Sequence, residues 1–287
     1  MAAKGPSIVP FSNVGSSVLP PRNQMTPGQY LESPNKQFRL SLQGDMNLVL
    51  HNGDSLVWVA DANQPHSRTL GNPVRAVANS FYVFYSAVLV DHTRTRYWQT
   101  INSTPLDGNV TAASERTVLQ VQDDGNLVII DSIPVWASNT SVPVSPDQSG
   151  VLVPPGTIIH PGQTFSVGTS TLTFQADGNL VLLGAGGVVL WHAGTGNKGA
   201  ALATMQGDGN FVISDGAGSP IWYTNTGAFP GAYGRIQANG SFSIVTDRVV
   251  WARFGHTPTV KARAVFYPNH GTGPLPTFYD RVLYTFS

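Results

Sequence analysis

The sequence predicts an all-β protein built from repeats, and three observations lead to this prediction. No stretch of the 287 residues shows a helical periodicity of convincing length, whereas short apolar runs recur throughout. Glycine (30 residues) and proline (21 residues) are frequent enough for a chain with many turns. A hairpin pattern recurs along the chain, and all six tryptophans follow it at the same position. The tryptophans therefore mark the register of an internal repeat.

The clearest copy of the repeat spans residues 172–183, where Asp177-Gly178 lies between two apolar runs. Asp-Gly in this setting predicts a hairpin with a primed turn, which has positive φ at both corner residues. Intact copies of the pattern Gln-x-Asp-x-Asn-x-Val begin at Gln43, Gln122, Gln175 and Gln206, and weaker copies begin at Tyr82 and Gln237. The tryptophans that follow the six copies are Trp58, Trp98, Trp136, Trp191, Trp222 and Trp251.

The polar residues of the pattern suit a sugar. In the strand after the turn, Asn179 and Val181 share one face because side chains alternate with period two. A carboxylate only accepts hydrogen bonds, whereas Gln and Asn amides donate and accept. Together they can satisfy two adjacent hydroxyls of a pyranose, while the valine packs on the ring C–H face. Turn chemistry alone explains the Asp and the Asn, but not the Gln and the Val in four copies.

The pattern resembles the signature Gln-x-Asp-x-Asn-x-Val-x-Tyr of the monocot mannose-binding lectins, the B-lectin family. The resemblance covers roughly residues 15 to 287. It implies a β-prism II, in which three small antiparallel sheets surround a pseudo-threefold axis filled by one tryptophan per sheet. Six repeats then imply two tandem β-prism II domains with a C-terminal extension. This layout is similar to that of the lectin-like bacteriocins, the L-type pyocins and putidacins of pseudomonads.

The resemblance also implies an exchange of strands, since in family members the final strand of each domain completes its partner. Here the segments ending at Trp136 and Trp251 are expected to be the exchanged ones.

The chain departs from the family signature at its last position. The closing Tyr is absent from all four intact copies, where His51, Ile130, Leu183 and Ser214 stand instead. His51 and Ser214 can still form hydrogen bonds, whereas the other two cannot. Loss of a polar partner favours a less hydroxylated sugar, and the bacteriocins that this chain resembles bind D-rhamnose, mainly through their C-terminal domain.

The resemblance ranks the candidate carbohydrate-binding residues. The first two sets are Gln175, Asp177, Asn179 and Val181, and Gln206, Asp208, Asn210 and Val212 with Ser214. The next set is Gln43, Asp45, Asn47 and Val49 with His51. The set Gln122, Asp124, Asn126 and Val128 ranks last among the intact copies, and the copies at Tyr82 and Gln237 are expected to be structural.

Matched openings, Leu19-Pro20-Pro21 and Val153-Pro154-Pro155, indicate two domains. We expect an N-terminal domain with lengthened loops, a C-terminal domain and an aromatic-rich extension at 1–148, 149–255 and 256–287, with a linker at 139–149. Motif starts lie 31 residues apart in the second domain but 39 and 40 apart in the first. The extra residues, around 61–79 and 100–115, are either neutral loop drift or partner contacts. The extension is either an added hairpin packed on the prisms or part of a docking surface.

Composition excludes several functions. Charged residues make up 11% of the chain and the net charge is zero, which argues against a nucleic-acid partner. Without cysteine, thiol chemistry and cysteine-based metal sites are absent. The only glutamates are Glu32 and Glu115, and the repeated aspartates are explained by turns, so a glycosidase pair is not expected. We expect a non-enzymatic protein with no cofactor, no metal and no membrane span.

The leading interpretation is a lectin-like bacteriocin. By resemblance, it would bind D-rhamnose- or mannose-type O-antigen polysaccharide on related Gram-negative bacteria and kill from the surface by acting on the outer-membrane β-barrel assembly protein. The N-terminus has no apolar segment typical of a signal peptide, so we expect release from the producing cell without cleavage and action at the target outer membrane. A monomer with an internal tandem pseudo-dimer is expected. The alternatives are a non-toxic mannose-type agglutinin and a structural surface protein with inactive sugar sites.

Overall fold

A computed structural model describes residues 8–45, 47–60, 67–69, 78–91, 96–138, 150–255, 260–265 and 281–286. Regular structure in these ranges is almost entirely β-strand, with one four-residue helix, α1 (Val110–Ala113), and a short 3₁₀ turn (Ala185–Gly187). The predicted all-β fold is confirmed. No helix in this part of the chain is long and apolar enough to span a membrane.

The strands are numbered in chain order. The first half of the chain contains β1 (Val9–Pro10), β2 (Val18–Leu19), β3 (Asn23–Met25), β4 (Tyr30–Glu32), β5 (Phe38–Leu42), β6 (Leu48–Asn52), β7 (Ser55–Val59), β8 (Ser67–Thr69), β9 (Ala78–Val83), β10 (Ala87–Asp91), β11 (Arg96–Thr100), β12 (Thr117–Val121) and β13 (Leu127–Ala137). The second half contains β14 (Val151–Val153), β15 (Ile158–Ile159), β16 (Thr164–Val167), β17 (Ser170–Phe174), β18 (Leu180–Leu183), β19 (Val189–His192), β20 (Ala200–Met205), β21 (Phe211–Asp215), β22 (Pro220–Tyr223), β23 (Tyr233–Gln237), β24 (Ser241–Ala252), β25 (Val260–Val265) and β26 (Arg281–Phe286).

The chain forms two compact units. Unit 1 comprises Met1–Asp131 and Val249–Ser287, and unit 2 comprises Ser132–Arg248. The predicted domain boundaries at 148/149 and 255/256 and the predicted linker touch residues 139–149 and 256–259, which lie outside the described residues.

Unit 2 is built from three small antiparallel sheets. One has the strand order β16-β17-β18-β19 and another β15-β20-β21-β22. The third is part of a six-stranded sheet of order β14-β23-β24-β13-β12-β2, from which unit 2 takes β14, β23, residues 241–248 of β24 and residues 132–137 of β13. Alternation decides which side chains enter the core: in β17 Leu172 and Phe174 are buried, whereas Thr171 and Thr173 lie on the outer face.

Unit 1 repeats this plan with additions. One sheet has the order β4-β5-β6-β7, and another is enlarged to β1-β3-β9-β10-β11-β8. The third contains β2, β12, the first part of β13 and the end of β24, after which the Arg253 N–H donates to the Leu127 carbonyl at 2.9 Å. Inward-facing apolar residues such as Leu40, Leu50, Phe81 and Leu119 are almost completely buried.

Three tryptophans, one from each sheet, pack edge to face within each unit. In unit 2 the ring centroids of Trp136, Trp191 and Trp222 lie 5.5–5.6 Å apart in all three pairs. In unit 1 the Trp98 ring lies 5.6 Å from that of Trp58 and 6.3 Å from that of Trp251. Such tilted aromatic pairs are the favoured geometry because the positive ring edge meets the negative ring face.

The exchange of strands is confirmed by these triads. Trp136 precedes most of unit 2 in the chain but completes the unit 2 triad, and Trp251 completes the triad of unit 1. Strands β13 and β24 each pass from one unit to the other, β13 between residues 131 and 132 and β24 between 248 and 249. Unit 1 is therefore completed by a segment that follows unit 2 in the chain, whereas unit 2 is a continuous segment that begins at Ser132, within β13.

The lengthened segment at 100–115 is held in place by hydrogen bonds and ion pairs. Asn109 caps α1 by accepting the Ala112 N–H at 3.0 Å. Arg116 follows the helix and binds Asp107 at 2.8 Å and the fully buried Asp131 through two hydrogen bonds of 2.5 and 3.1 Å. Burial opposes the charge of Arg116, but these carboxylates outweigh it and raise its pKa. Most of the other lengthened segment, 61–79, lies outside the described residues.

The C-terminal extension contains a two-stranded hairpin, which fits both interpretations. Strands β25 and β26 pair antiparallel from Val260 with Phe286 to Val265 with Arg281. The connecting residues 266–280 lie outside the described residues.

The triads generate a prediction about each unit. Trp251→Ala should lower the free energy of unfolding of unit 1 by about 3–5 kcal/mol, because it removes a buried indole that packs against Trp98. Trp136→Ala is the reciprocal variant, and its effect should fall on unit 2. Hydrogen exchange followed peptide by peptide should accelerate in residues 30–59 for the first variant and in 164–223 for the second. Faster hydrogen exchange in the opposite unit would contradict the exchange of strands between the units.

Candidate functional site

The four intact copies form the same hairpin corner. In each, the Gln backbone N–H donates to the carbonyl of the Asn four residues later, at 2.8–2.9 Å. The Asp side chain accepts the backbone N–H of that Asn at 2.8–3.1 Å. This side-chain turn fixes one carboxylate oxygen and holds the Asp at the corner.

The turn is not the primed turn expected from Asp-Gly. Its loop has three residues, 176–178 in the clearest copy, and the Gly178 N–H donates to the Gln175 carbonyl at 2.9 Å. Gly178 has a φ of 81°, whereas Asp177 is not among the residues with positive φ. A three-residue loop needs one left-handed residue at its end to match the strand twist, and glycine supplies it. The hairpin prediction was right and the turn type was wrong.

Four candidate sites follow from the copies. Site one is Gln175, Asp177, Asn179, Val181 and Leu183. Site two is Gln206, Asp208, Asn210, Val212 and Ser214. Site three is Gln43, Asp45, Asn47, Val49 and His51. Site four is Gln122, Asp124, Asn126, Val128 and Ile130.

Site one is supported by the loop that follows Trp191. The Thr195 N–H donates to Asn179 Oδ1 at 3.0 Å, and the buried Thr195 hydroxyl donates to the Gly178 carbonyl at 2.6 Å. These bonds fix the orientation of the Asn179 amide, so that its Nδ2 is left as the free end. Gln175 and Asp177 are exposed. Among the described residues, no partner contacts the Gln175 side chain, Asp177 Oδ2 or Asn179 Nδ2.

Site two repeats this arrangement. Asn210 Oδ1 accepts the Thr226 N–H at 3.2 Å and the Thr224 hydroxyl at 3.1 Å, and the Thr226 hydroxyl donates to the Gly209 carbonyl at 2.6 Å. Gln206 and Asp208 are exposed. Within the described part of the chain, the Gln206 side chain, Asp208 Oδ2 and Asn210 Nδ2 again have no partner.

Site three is more closed at its corner but borders a cleft. Asn47 Nδ2 donates to Asp45 Oδ2 at 2.8 Å, so both carboxylate oxygens accept bonds inside the turn. A cleft of about 500 Å³ lies beside the site and is lined by His51, Ser41, Arg39, Glu32, Lys36, Gln37, Gly53 and Asp54. Hydrogen bonding from Arg39 lowers the pKa of Glu32, which also contacts Lys36.

Site four is occupied by the chain itself. Asn126 is buried, its Nδ2 donates to the Phe254 carbonyl at 3.0 Å, and its Oδ1 accepts the Phe254 N–H at 3.2 Å. Arg253 Nε donates to the Gly125 carbonyl at 3.1 Å, where site one has a threonine hydroxyl. Both ends of the Asn126 amide are therefore engaged by the chain itself.

The two weak copies carry no open polar set. Tyr82 lies in an apolar cluster with Val88 and Val90, against which Ile8 and Phe84 pack. Gln237 and Ser243 in the other copy are buried polar residues.

The valines of the motif are buried more deeply than the sequence suggests. Val49, Val128 and Val181 are 3–5% exposed and Val212 is 8% exposed. The expected apolar contact with a sugar ring would therefore need a further contribution from a neighbouring side chain.

No group of three or more potential metal ligands is found within the described residues.

Sequence reasoning missed the supporting loop. Thr195-Gly196 and Thr226-Gly227 each begin four residues after a tryptophan, so the spacing Trp-x-x-x-Thr-Gly was available as a signal. A Cβ on Gly196 would lie 2.8 Å from Asp177 Oδ2, and one on Gly227 would lie 3.0 Å from Asp208 Oδ2. Glycine at these positions therefore leaves room for the free carboxylate oxygen.

Comparison with known proteins gives structural similarity only. No family model and no curated protein matches this chain. The fetuin-binding two-domain agglutinin of Scilla campanulata is 18% identical, with a TM-score of 0.46 over 80% of this chain and 93% of that chain. The mannose-specific agglutinin of snowdrop, Galanthus nivalis, is 28% identical, with a TM-score of 0.32 over 37% of this chain and 97% of that chain. A monomeric monocot mannose-binding lectin of Gastrodia elata is 27% identical, with a TM-score of 0.31 over 38% and 100% of the two chains.

The glycines beside the carboxylates generate a second prediction. Gly196→Ala should displace the Asp177 carboxylate and weaken its bond to the Asn179 N–H, because the new methyl group would lie 2.8 Å from Oδ2. The expected readout is a large change in the Asn179 amide resonance and a loss of about 1 kcal/mol in unfolding free energy. Gly216→Ala is the matched control, since nothing lies within 4 Å of a Cβ there. An Asn179 resonance that moves no more than in the control would contradict the prediction.

Proposed function

We propose that the chain is a carbohydrate-binding protein without catalytic activity, whose hairpin corners bind mannose-type pyranoses. The observation that carries this proposal is the set of free polar groups at sites one and two. Each site offers a carboxylate oxygen, an Asn Nδ2 and a Gln amide for which the described chain supplies no partner. The carboxylate oxygen accepts hydrogen bonds, the Asn Nδ2 donates them and the Gln amide does both. Together they match two vicinal sugar hydroxyls, each of which donates and accepts.

The surrounding bonds make these groups ready to bind. Asp177 is held by its bond to the Asn179 N–H, and Asn179 is held by Thr195. The same bonds hold Asp208 and Asn210 at site two. A ligand would therefore meet groups that are already oriented, which reduces the entropy lost on binding. Site three shares the corner and adds the cleft beside His51.

The sugar we propose is a mannose-type pyranose with few hydroxyls, such as D-rhamnose. Leu183 and Ser214 stand where the motif that this sequence resembles has a tyrosine. Leu183 offers no hydrogen bond to a hydroxyl at that position, and a 6-deoxy sugar has one hydroxyl fewer to satisfy. The similarity of the motif to that of the lectin-like bacteriocins supports the same choice.

A repeating polysaccharide is the proposed natural ligand. Each corner is shallow and makes few contacts, so a single site should be weak. Sites one and two lie in one unit and site three belongs to the other. Where a polysaccharide spans two sites, the second contact becomes intramolecular and can raise avidity by about 100-fold or more. The O-antigen of Gram-negative bacteria has this repeating character.

At the level of the cell, we propose a lectin-like bacteriocin that acts from outside at the target outer membrane through the β-barrel assembly protein. The motif and the tandem arrangement of two prisms support this proposal. A non-toxic agglutinin would use the same sites, so the two are distinguished by killing and not by sugar affinity.

Removal of the free carboxylates tests sugar binding. Asp177→Ala with Asp208→Ala should reduce the affinity for methyl α-D-mannoside or methyl α-D-rhamnoside by about 10-fold or more, since a hydrogen bond to a charged group contributes about 1.5–3 kcal/mol. Isothermal titration calorimetry on the full chain provides the measurement. Asp124→Ala is the matched control, because it removes the same turn bond at 2.8 Å in the occupied site four. Equal losses in the control and the double variant would exclude a direct role for the two sites.

Killing requires a separate test. The purified chain, spotted on lawns of a panel of related Gram-negative strains, should produce clearing zones, and the Asp177→Ala, Asp208→Ala double variant should clear at a concentration at least about 10-fold higher. Strains lacking O-antigen serve as the control for the surface ligand. Sugar binding without clearing on any strain would favour the agglutinin.

A further inference from the structure

The residue after a tryptophan lies beside the motif valine in sites one, two and three. Strand pairing sets Val49 opposite Val59, Val181 opposite His192 and Val212 opposite Tyr223. Side chains of directly paired residues project from the same face of a sheet, with Cβ atoms about 4.5–5.5 Å apart. The tryptophan faces the core, so the residue after it faces outward, on the side of the proposed sugar site.

This position differs in chemistry from site to site. The residue is the aliphatic Val59 at site three, the imidazole-bearing His192 at site one and the phenol-bearing Tyr223 at site two. Gln, Asp, Asn and Val are the same in all three copies, so the sites can differ in ligand preference through this position and through the last motif position, which is His51, Leu183 or Ser214.

At site two the outer face is unusually apolar. The row across the sheet runs Ile158, Thr204, Val212 and Tyr223, and its two ends are exposed, Ile158 by 51% and Tyr223 by 54%. The corresponding row at site one is Thr164, Thr173, Val181 and His192. An exposed tyrosine contributes little to the core, and within the described residues no hydrogen-bond partner contacts its hydroxyl.

The valine of site two cannot form an apolar platform alone. Val212 is 8% exposed, whereas the neighbouring Tyr223 is 54% exposed and offers a whole ring. Pro220, paired with Ser214 on the same strand as Tyr223, adds a second apolar residue at the position where the motif lost its tyrosine. An aromatic ring beside oriented polar groups is an arrangement that holds the C–H face of a sugar while its hydroxyls are bound.

We infer that Tyr223 is the specificity-determining residue of site two, where its ring packs against the apolar face of the pyranose and favours a deoxy sugar. This inference rests on the proposed function, because it assumes that the free groups of Gln206, Asp208 and Asn210 bind sugar hydroxyls. A ring carrying fewer hydroxyls presents a larger apolar surface to Tyr223 and Pro220. Site one has His192 at this position and therefore lacks the contact with a tyrosine ring.

The test isolates site two in the full chain. Asp45→Ala with Asp177→Ala removes sites three and one, and the titrants are methyl α-D-mannoside and methyl α-D-rhamnoside. In this background Tyr223→Ala should weaken rhamnoside binding by about 3- to 10-fold, the range expected for one aromatic packing contact. Tyr223→Phe should stay within about twofold of the background, since it keeps the ring. The background should prefer rhamnoside to mannoside, and Tyr223→Ala should reduce that preference.

The controls separate the two proposals. His192→Ala in the same background should leave the affinity of site two unchanged. If Tyr223→Ala binds both sugars as the background does while Asp208→Ala does not bind, the role of Tyr223 is overturned and sugar binding stands. A loss with Tyr223→Phe as large as with Tyr223→Ala also overturns it, because the hydroxyl would then be the contact. Absence of any sugar binding by the wild-type chain overturns both proposals.

A second measurement needs no variant at Tyr223. Addition of methyl α-D-rhamnoside to the Asp45→Ala, Asp177→Ala chain should shift the Tyr223 ring proton resonances in NMR spectra, because the bound sugar would lie against the ring. Ring resonances that stay in place while the Asn210 amide moves would overturn the inference.

Discussion

The packing of three indoles at the centre of each unit is the constraint on which the rest of the structure depends. Each sheet contributes one tryptophan, and each ring meets its neighbours edge to face at 5.5–6.3 Å. A sheet can place its indole there only if its strands pair in one register, because a shift by one residue would turn the side chain outward. The register that satisfies the triad also places the motif Asn and Val on the outer face of the sheet. Core packing and the candidate sites therefore follow from the same alternation.

The motif Asn has three different hydrogen-bonding arrangements in this chain, and the neighbouring residues determine which one each site adopts. At sites one and two a threonine loop holds the Asn amide by one end and leaves the other free. At site three the Asn turns to the Asp of its own corner. At site four the backbone of Phe254 takes both ends of Asn126. Each arrangement leaves a different number of polar groups for a ligand, although the motif letters are nearly identical.

Exchange of β13 and β24 gives the fold a further property. The order of the repeats assigns Trp136 to the first domain and Trp251 to the second, yet Trp136 completes the triad of unit 2 and Trp251 that of unit 1. Loss of the exchanged segment would therefore weaken the unit that it completes. The exchange also places Arg253 and Phe254, which follow Trp251, where they fill site four of unit 1. The segment 251–254 therefore both completes the core of unit 1 and closes site four.

The sequence by itself determined the all-β class, the sixfold repeat, the hairpin corners and the tryptophan set. These features depend on local alternation and on residue spacing, which are visible in the chain. The turn type at Asp177-Gly178 was wrong because the loop length is set by which strand residues pair, and Gln175 pairs with Asn179 across three residues.

Only the tertiary structure decided which corners are open. Asn126 and Asn179 occupy the same motif position, yet Phe254, 128 residues away in the chain, closes one of them. It also decided which residue lies opposite each motif valine, His192 or Tyr223, because strand pairing sets this register and the motif letters do not. The contact between Phe254 and Asn126 joins segments far apart in the chain, and no local pattern encodes it, because it depends on how the completed sheets bring those segments together.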